Sequence, residues 1–599
     1  MIPPRSRDCP ILAAFATIGI TTGKLWCRDM IPEPHPPGDS GGISGPATFT
    51  FHRKFTKILS DSVAAPAKTT GLRYWMESVL HQCDRVSANF DADPVHDLRV
   101  ALRRCRSMTD GLMALDPHPE WKAMKKAGKR LFQRLGELRD VQIMMDWIEK
   151  LEPKLPRVAR GSSSASSSSA GESSAEQPIL QTQATQVPPK SEEQENLADP
   201  PAQALLEILK QRETEQKREA KAALEEFDRK QWQKWTRSLP ARAAHIRPGS
   251  VVFKHLALER WLAARELHNR ALRHRSPTAW HNLRIGIKRF RYIVENFLPE
   301  EHALWARDLK QMQDALGDVH DFDVLWDTLL SSDVFADQAS RQRWQTVITE
   351  ERDRRIELYR ERMVGPESLW HVWRARLPQG RQIEQIALRR MKLWAKALDP
   401  DFAHSERVSR LALELYDGLQ RAHLLSPTDG TDLRRSLQLA ALLHDVGKST
   451  GKKGHHKESF RLIQGYGTIP GWKAEDVERA AVIARFHEGV LPSRSHILMR
   501  DRLPNDQKAV VQMSGILRLA NAFDAAHNGQ IRAVSVEAPA RNGRPHGNGY
   551  VVISAEGYSS RSETAQAVAA ERHLLELVLR RPVLVKAGSG EHTRLRSRA

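Results

Sequence analysis

Cysteine is scarce in this chain of 599 residues. There are four, Cys9, Cys27, Cys83 and Cys105, with no CxxC pair among them and none in the C-terminal half. That argues against a disulfide scaffold or a zinc ribbon and fits a reducing compartment, so a cytoplasmic location is expected. Long apolar runs are also missing. Nothing approaches the roughly 18–20 residues of a membrane helix, so the chain reads as soluble, with no membrane partner. No helix-turn-helix, zinc-finger or RNP signature is present. The start of the chain has no clean secretory signal. Arg5 and Arg7 precede an apolar stretch from Ile11 to Thr21, but Asp8 and Pro10 interrupt it and no small-x-small cleavage site follows.

What the chain does have is positive charge. Lys and Arg number 92 against 73 Asp and Glu, a formal net charge of +19, which points to an anionic partner. Hydrophobic residues make up 40%, enough for sizeable cores. Composition and periodicity divide the chain. Residues 1–69, rich in Pro and Gly from Pro32 to Pro46, read as a disordered leader. Residues 70–377 are helical, interrupted by a flexible serine-rich insertion at 161–200. Pro378-Gln379-Gly380 punctuates the chain, and a second helical region covers 378–530. Strand-like runs at Ala533 to Val536 and Tyr550 to Ser554, a helix from Ala565 to Leu579 and an apolar run at Val583 to Val585 make a small α+β extension at 531–588. Residues 589–599 are a disordered basic tail. The expected class is therefore mainly α.

The first helical region repeats itself. VHDLRVALRRCRSM (Val95 to Met108) matches WHNLRIGIKRFRYI (Trp280 to Ile293). LGELRDVQIMMD (Leu135 to Asp146) matches LGDVHDFDVLWD (Leu316 to Asp327). Two matched pairs in one order indicate a duplicated helical unit. An α-helix advances about 100° per residue. On that wheel His96, Arg99, Arg103 and Arg106 share a narrow arc, and His281, Arg284, Lys288 and Arg291 share the same arc in the second copy. Arg104 and Arg289 flank the stripes. Leu98, Leu102 and Cys105, and likewise Leu283, Ile287 and Phe290, lie opposite and should pack. Stacked cations repel, and a helix selected only for stability would intersperse Glu. A bound polyanion would relieve the repulsion, and the planar guanidinium can grip two phosphate oxygens at once.

These residues resemble the CHAD domain, the conserved histidine α-helical domain: H-x-x-R-x-x-x-[RK]-[RK]-x-R occurs twice, each time followed by LG-x-x-x-D. The resemblance covers about half of the chain. It implies two similar helical bundles around a basic pore, binding of inorganic polyphosphate, and association with polyphosphate granules. Carried over residue by residue, the contacts are His96, Arg99, Arg103, Arg104, Arg106, His281, Arg284, Lys288, Arg289 and Arg291. Nucleic acid is a competing ligand. Sequence-neutral single-strand binding would need aromatic platforms among the cations; the first stripe has none, and the second has Phe290 on its packing side and Tyr292.

A second constellation lies in residues 378–530. His404, His444-Asp445 and Asp524 sit in or at the ends of three apolar helical segments. Two imidazoles and two carboxylates form a mixed N/O set suited to Zn, Mn, Fe or Mg. A bound divalent metal would lower the pKa of its water. Asp445 and Lys448 are then the catalytic candidates, Lys448 neutralising a phosphate. The ordered H…HD…D set resembles the HD superfamily of metal-dependent phosphohydrolases. GHHKESFRLI, PGW, IARFHE and ILRLANAFD further resemble the C-terminal region of the exopolyphosphatase and guanosine pentaphosphate phosphohydrolase family, from about Glu384 to Lys586. That resemblance adds His456 and His487 as ligands of a second metal, while Glu458 stands where that family often has another histidine. The actin-like catalytic domain of exopolyphosphatases, with its glycine-rich phosphate loops, is absent. The HDxxED pattern of alarmone hydrolases and the HHE and GYP of cyclic-dinucleotide phosphodiesterases are not matched. An ExExK pattern at Glu213, Glu215 and Lys217 falls on a helical stretch, where the β-strand motif of triphosphate tunnel enzymes cannot form.

The expectation is a polyphosphate-binding protein with a metal-dependent phosphohydrolase-like region acting on a nucleotide or other phosphoester. Its rivals are a non-catalytic granule adaptor, whose second region only binds a ligand or dimerises, and a nucleic-acid binder.

Overall fold

The computed structural model describes residues 71–88, 90, 92–155, 199–425, 433–537 and 549–588. The expected leader, the insertion as far as residue 198 and the basic tail lie outside these. The protein is mainly α: the described residues form twenty α-helices and one three-stranded sheet. None of these helices is long and apolar enough to cross a membrane.

The first copy of the repeat contains α1 (Leu72–Ala88), α2 (Ala92–Met113), α3 (Pro119–Ala127) and α4 (Lys129–Leu151), followed by α5 (Pro200–Glu225) and α6 (Arg229–Ala243). The second contains α7 (Val251–His274), α8 (Pro277–Phe297), α9 (Pro299–Ser331), α10 (Gln338–Met363) and α11 (Leu369–Ala375). The basic stripes lie on α2 and α8. Ser276 starts α8 by accepting the Ala279 N–H at 3.2 Å, with Pro277 in the first turn. The apolar faces pack as the wheel predicts: Leu98, Leu102, Cys105, Leu283, Ile287 and Phe290 are all fully buried. A buried side chain of this size contributes roughly 1.5–3 kcal/mol, so each stripe is fixed by the packing behind it. Gly286 lets α8 approach α7, since a Cβ there would lie 2.9 Å from the Leu267 side chain and 3.3 Å from the Ala264 backbone. The C-terminal ends of α2 and α8 meet. Gly111 lies against Phe297, and Asn296 donates to Ser107 at 3.0 Å.

A second core is built by α12 (Arg381–Leu398), α13 (Phe402–Arg421), α14 (Leu433–Leu443), α15 (His455–Tyr466), α16 (Ala474–Arg485), α17 (Ile497–Arg500) and α18 (Pro504–Phe523), with a 3-10 turn at Val446–Ser449 after α14. The extension follows as β1 (Val534–Glu537), β2 (Val551–Glu556), α19 (Glu563–Glu571), α20 (His573–Leu579) and β3 (Val583–Gly588). β1 pairs antiparallel with β2, Val534 opposite Ala555, and β3 pairs parallel with β2, Val583 opposite Val551. Where the sequence reads as one last helix, two helices meet at Arg572, whose guanidinium turns to the Val583 carbonyl at 3.1 Å. The two cores join along α7 and α12. Buried Arg390 pairs there with Glu259, and His255 Nε2 lies 2.8 Å from the Pro470 carbonyl.

Candidate polyanion cradle and metal centre

The side chains of the two stripes converge. Arg99 and Arg103 on α2 and Arg284 and Lys288 on α8 are half-buried, and none forms an ion pair among the described residues. Burial, then Arg284, Arg103 and Arg99, push the Lys288 ammonium down to about 8. Cations of both helices act on one lysine, so the stripes face each other. Asp140, the aspartate of LGELRD, says the same from α4. Burial raises its carboxyl, while Arg99 from one copy and Arg284 and Lys288 from the other pull against that rise. Its counterpart on α9, Asp321, is pushed up to about 6 by burial, with Arg284 opposing. Tyr292 lies beside Lys288, whose ammonium is 6.0 Å from the ring, and its buried hydroxyl has no hydrogen-bond partner.

The other stripe residues hold the rim. Arg104 pairs across the helices with Glu295 and stacks on Trp75 at 5.4 Å. Arg106 donates to the Lys125 carbonyl at 2.9 Å and lies over Phe132 at 5.0 Å. Arg291 is 3.7 Å from Glu295. His281 Nδ1 is 3.3 Å from His320 Nδ1, while His96 and Arg289 are exposed. The convergent set is thus four cations, two aspartates and a tyrosine. The aspartates and the facing of the two copies depend on how α2, α4, α8 and α9 cross, which the sequence pattern alone does not state.

In the second core, α13, α14, α15 and the end of α16 bring histidines around one carboxylate. Asp401 starts α13 by accepting the His404 N–H at 3.2 Å. His444 and Asp445 follow the last turn of α14, fully buried. His444, His455 and His487 each give Nδ1–H to the carbonyl three residues earlier, Ala441, Lys452 and Ala484, at 2.8, 2.9 and 2.7 Å. A carbonyl only accepts, so in each neutral ring Nε2 is left as a bare lone pair. Those atoms meet around Asp445. His444 Nε2 is 3.3 Å from Oδ2, and His455 and His487 Nε2 are 3.1 and 3.7 Å from Oδ1. His455 and His487 present Nε2 to each other at 3.0 Å. His444 Nε2 and Asp445 Oδ1 are buried and lack a hydrogen-bond donor. Lone pairs aimed at one another in a dry space repel unless a cation sits among them, and backbone-fixed imidazoles are how proteins orient metal ligands. The donor set therefore fits a divalent ion.

His404, His444 and Asp445 form one group with metal-ligand spacing; Asp445, His455 and His487 form a second; His455, His456 and Glu488 form a third at the edge. Asp445 is shared by the first two. Burial works against its ionisation, yet His444, His455 and His487 hold its carboxyl well below the usual range. Burial pushes His487 well below its usual value, with His444 adding to the effect.

Asp524 stands one step back. It accepts His404 Nδ1–H at 2.7 Å and Arg407 at 2.8 Å, and so orients His404. Lys448 is paired with Asp445 rather than open. His456 is near the cluster, its ring 6.4 Å from that of His487, with Nδ1 buried and unpartnered. Glu458 pairs with Arg461 at 3.0 Å. The sequence pattern misses His455 and Glu488. In the GHHK run two histidines are adjacent, and only the turn through Gly454, which puts His455 Nδ1 on the Lys452 carbonyl, selects the first.

The family model for the CHAD domain matches residues 72–330, and that for the Ppx/GppA phosphatase, domain III, matches residues 388–563. No curated protein matches the chain.

Proposed function

From a chain that joins a CHAD domain to a Ppx/GppA phosphatase domain III, we propose a protein that binds inorganic polyphosphate in the cradle between α2 and α8 and carries a divalent-metal phosphohydrolase centre around Asp445. The observation that carries this is the convergence of Arg99, Arg103, Arg284 and Lys288, four cations that form no ion pair among the described residues and outnumber the two aspartates, Asp140 and Asp321, set among them. Like charges gathered at half-buried positions repel by roughly several kcal/mol. A linear string of phosphates neutralises them, using no base recognition that the site would have to supply. Nucleic acid is the lesser candidate for that reason. Localisation to polyphosphate granules belongs to the same proposal.

In the second core, His404, His444, Asp445, His455 and His487 would hold the metal, and these donors suit Mn, Mg, Zn or Fe. A divalent ion there supplies Lewis acidity toward a phosphoryl oxygen and toward water. Asp524 orients His404, the backbone carbonyls fix the other imidazoles, and the Lys448 ammonium either holds the Asp445 carboxylate in place or turns from it to neutralise a phosphate. The substrate class is a phosphoester or phosphoanhydride. The Lys448–Asp445 pairing also favours a second reading, a region that binds a ligand or dimerises without turnover.

One set of measurements tests both. Long-chain polyphosphate should bind the full-length protein at about 150 mM salt, where surface charge alone is screened beyond roughly 8 Å. Binding should weaken at least about tenfold in Arg103→Ala/Lys288→Ala. Failure of polyphosphate to compete with single-stranded RNA at matched salt would give the cradle to nucleic acid. Metal content and phosphate release from polyphosphate and nucleotides, compared with His444→Ala and Asp445→Ala, decide the rest: bound metal without release supports the non-catalytic reading.

A further inference from the structure

Arg485, the last residue of α16, is a largely buried arginine with no counter-ion among the described residues. It is 9% exposed, its Nη1 is buried without a hydrogen-bond partner, and no carboxylate pairs with it among the described residues. Its one close neighbour of note is the Phe486 ring, 5.7 Å away. The other buried arginines of this core are neutralised. Arg479 meets Asp506 at 2.6 Å and Asp476 at 3.4 Å, and Arg518 meets Glu571 at 2.6 Å. A buried cation without a partner is strongly unfavourable, so Arg485 is the exception that needs an anion.

The surroundings say which kind. His456, the first neighbour, also has a buried polar atom without a partner, Nδ1, and its ring is 5.8 Å from that of His455. His496 stands edge-on to Phe486 with ring centroids 4.9 Å apart. Arg485 is within electrostatic reach of both imidazoles. Glu488 is the nearby acid, but its Oε2 lies at His455, 3.3 Å away, and it is more than half exposed. The corner therefore offers a forked guanidinium and two imidazoles with donor capacity, directly beside the Asp445 cluster.

We infer that Arg485, with His456 and His496, forms the subsite that takes the phosphoryl group of the substrate, a tetrahedral oxyanion held beside the metal centre. The inference rests on the proposed reading of that centre for the identity of the substrate, but its own signal is anion binding. The guanidinium binds two phosphate oxygens in its fork, and the imidazoles donate to a third. Arg485 is a binding residue here, set by α16 two positions before His487, so that anion and cluster keep a fixed relation.

The test uses full-length protein in an Arg103→Ala/Lys288→Ala background, which weakens the cradle's own affinity for phosphate and is shared by every variant compared, and inorganic phosphate as the probe. Arg485→Met keeps the length and apolar stem and removes the charge. It should weaken phosphate binding by about tenfold or more, raise the Tm of the phosphate-free protein because an uncompensated buried charge is gone, and abolish the further rise in Tm that phosphate gives the parent. Arg485→Lys should restore binding only in part, having lost the fork. Metal content should not change. Unchanged phosphate affinity in Arg485→Met, or a lowered Tm in phosphate-free protein, overturns the inference and makes Arg485 a structural residue. The two readings fail separately. Metal-free parent protein that still binds phosphate through Arg485 removes the metal centre and leaves the anion subsite. Metal-loaded protein indifferent to Arg485→Met does the reverse.

Discussion

At the scale of single residues, the His–Asp turn tolerates little change because backbone fills the space around it. A Cβ added at Gly447 would lie 2.1 Å from the His455 carbonyl oxygen and 2.5 Å from the Ser459 nitrogen. Neither is the end of a flexible side chain, so α15 itself would have to move. Ser459 reinforces the contact, donating to the His444 carbonyl at 2.6 Å and accepting the Gly447 N–H at 2.9 Å. Gly447→Ala should lower stability by about 1–3 kcal/mol, the usual range for overpacking, and should reduce metal content by moving His455 away from Asp445. Thermal melts and metal analysis on the same sample check this; an unchanged Tm would show that α15 yields freely. The paired histidines give a sharper contrast. His455→Ala removes a lone pair shared by two of the donor groups and should abolish high-affinity metal binding, whereas His456→Ala should leave most of it. Equal loss in both variants would move the centre outward to His456 and Glu488. This distinction is not legible in the sequence, where either histidine of GHHK satisfies the motif. It comes from the positive φ of 75° at Gly454, which turns the chain into α15.

At the scale of elements, helical periodicity alone makes the stripes readable. Leu98, Leu102 and Cys105 fix which way α2 turns, and Leu283, Ile287 and Phe290 do the same for α8, so the cations have one direction left. The wheel cannot say what they face. The aspartates Asp140 and Asp321 come from other helices, and it is the crossing of α2, α4, α8 and α9 that puts two acids among four cations. That mixture makes the cradle responsive to pH. The Lys288 ammonium, at about 8, loses its proton as pH rises through that value, and the cradle loses one positive charge. Asp321, at about 6, gains a proton as pH falls through that value, and the cradle loses one negative charge; Asp140 is displaced in the same direction. Burial pushes His281 below its usual value and His320 to about 4, so His320 stays uncharged over this window. Both changes have one sign for a polyanion: affinity should rise steadily as pH falls from above the Lys288 value to below the Asp321 value. Asp321→Asn should remove the lower part of that rise, and Lys288→Arg the upper part. Calorimetric titration with polyphosphate at constant ionic strength reads this directly, and a flat profile would mean the titrating groups do not face the ligand.

At the scale of the whole molecule, the question is what joins the region of α1–α11 to the region from α12 onward. Pro378-Gln379-Gly380 stands out in the sequence because breakers interrupt long helical runs, but nothing in the pattern shows what ties the helices on either side of it together. The tie is polar. Arg390 on α12 is 3% exposed and pairs with Glu259 on α7, and His255 on α7 reaches the Pro470 carbonyl. The polar part of the seam contributes only while each charge has its partner. Removing Glu259 alone strands Arg390 in a space it cannot leave, which typically destabilises by about 3–5 kcal/mol when the pair is fully buried. Glu259 keeps a quarter of its side-chain exposure, so water will soften the effect, and about 2–3 kcal/mol is the expectation. Replacing both residues by methionine removes the stranded charge and should recover most of the loss. Calorimetry separates the outcomes. Glu259→Ala should split a single unfolding transition into two, the cradle region and the His–Asp region melting apart, and Glu259→Met/Arg390→Met should merge them again. If Glu259→Ala melts as the parent does, the seam is a contact without coupling, and the two regions are independent bodies that share a chain.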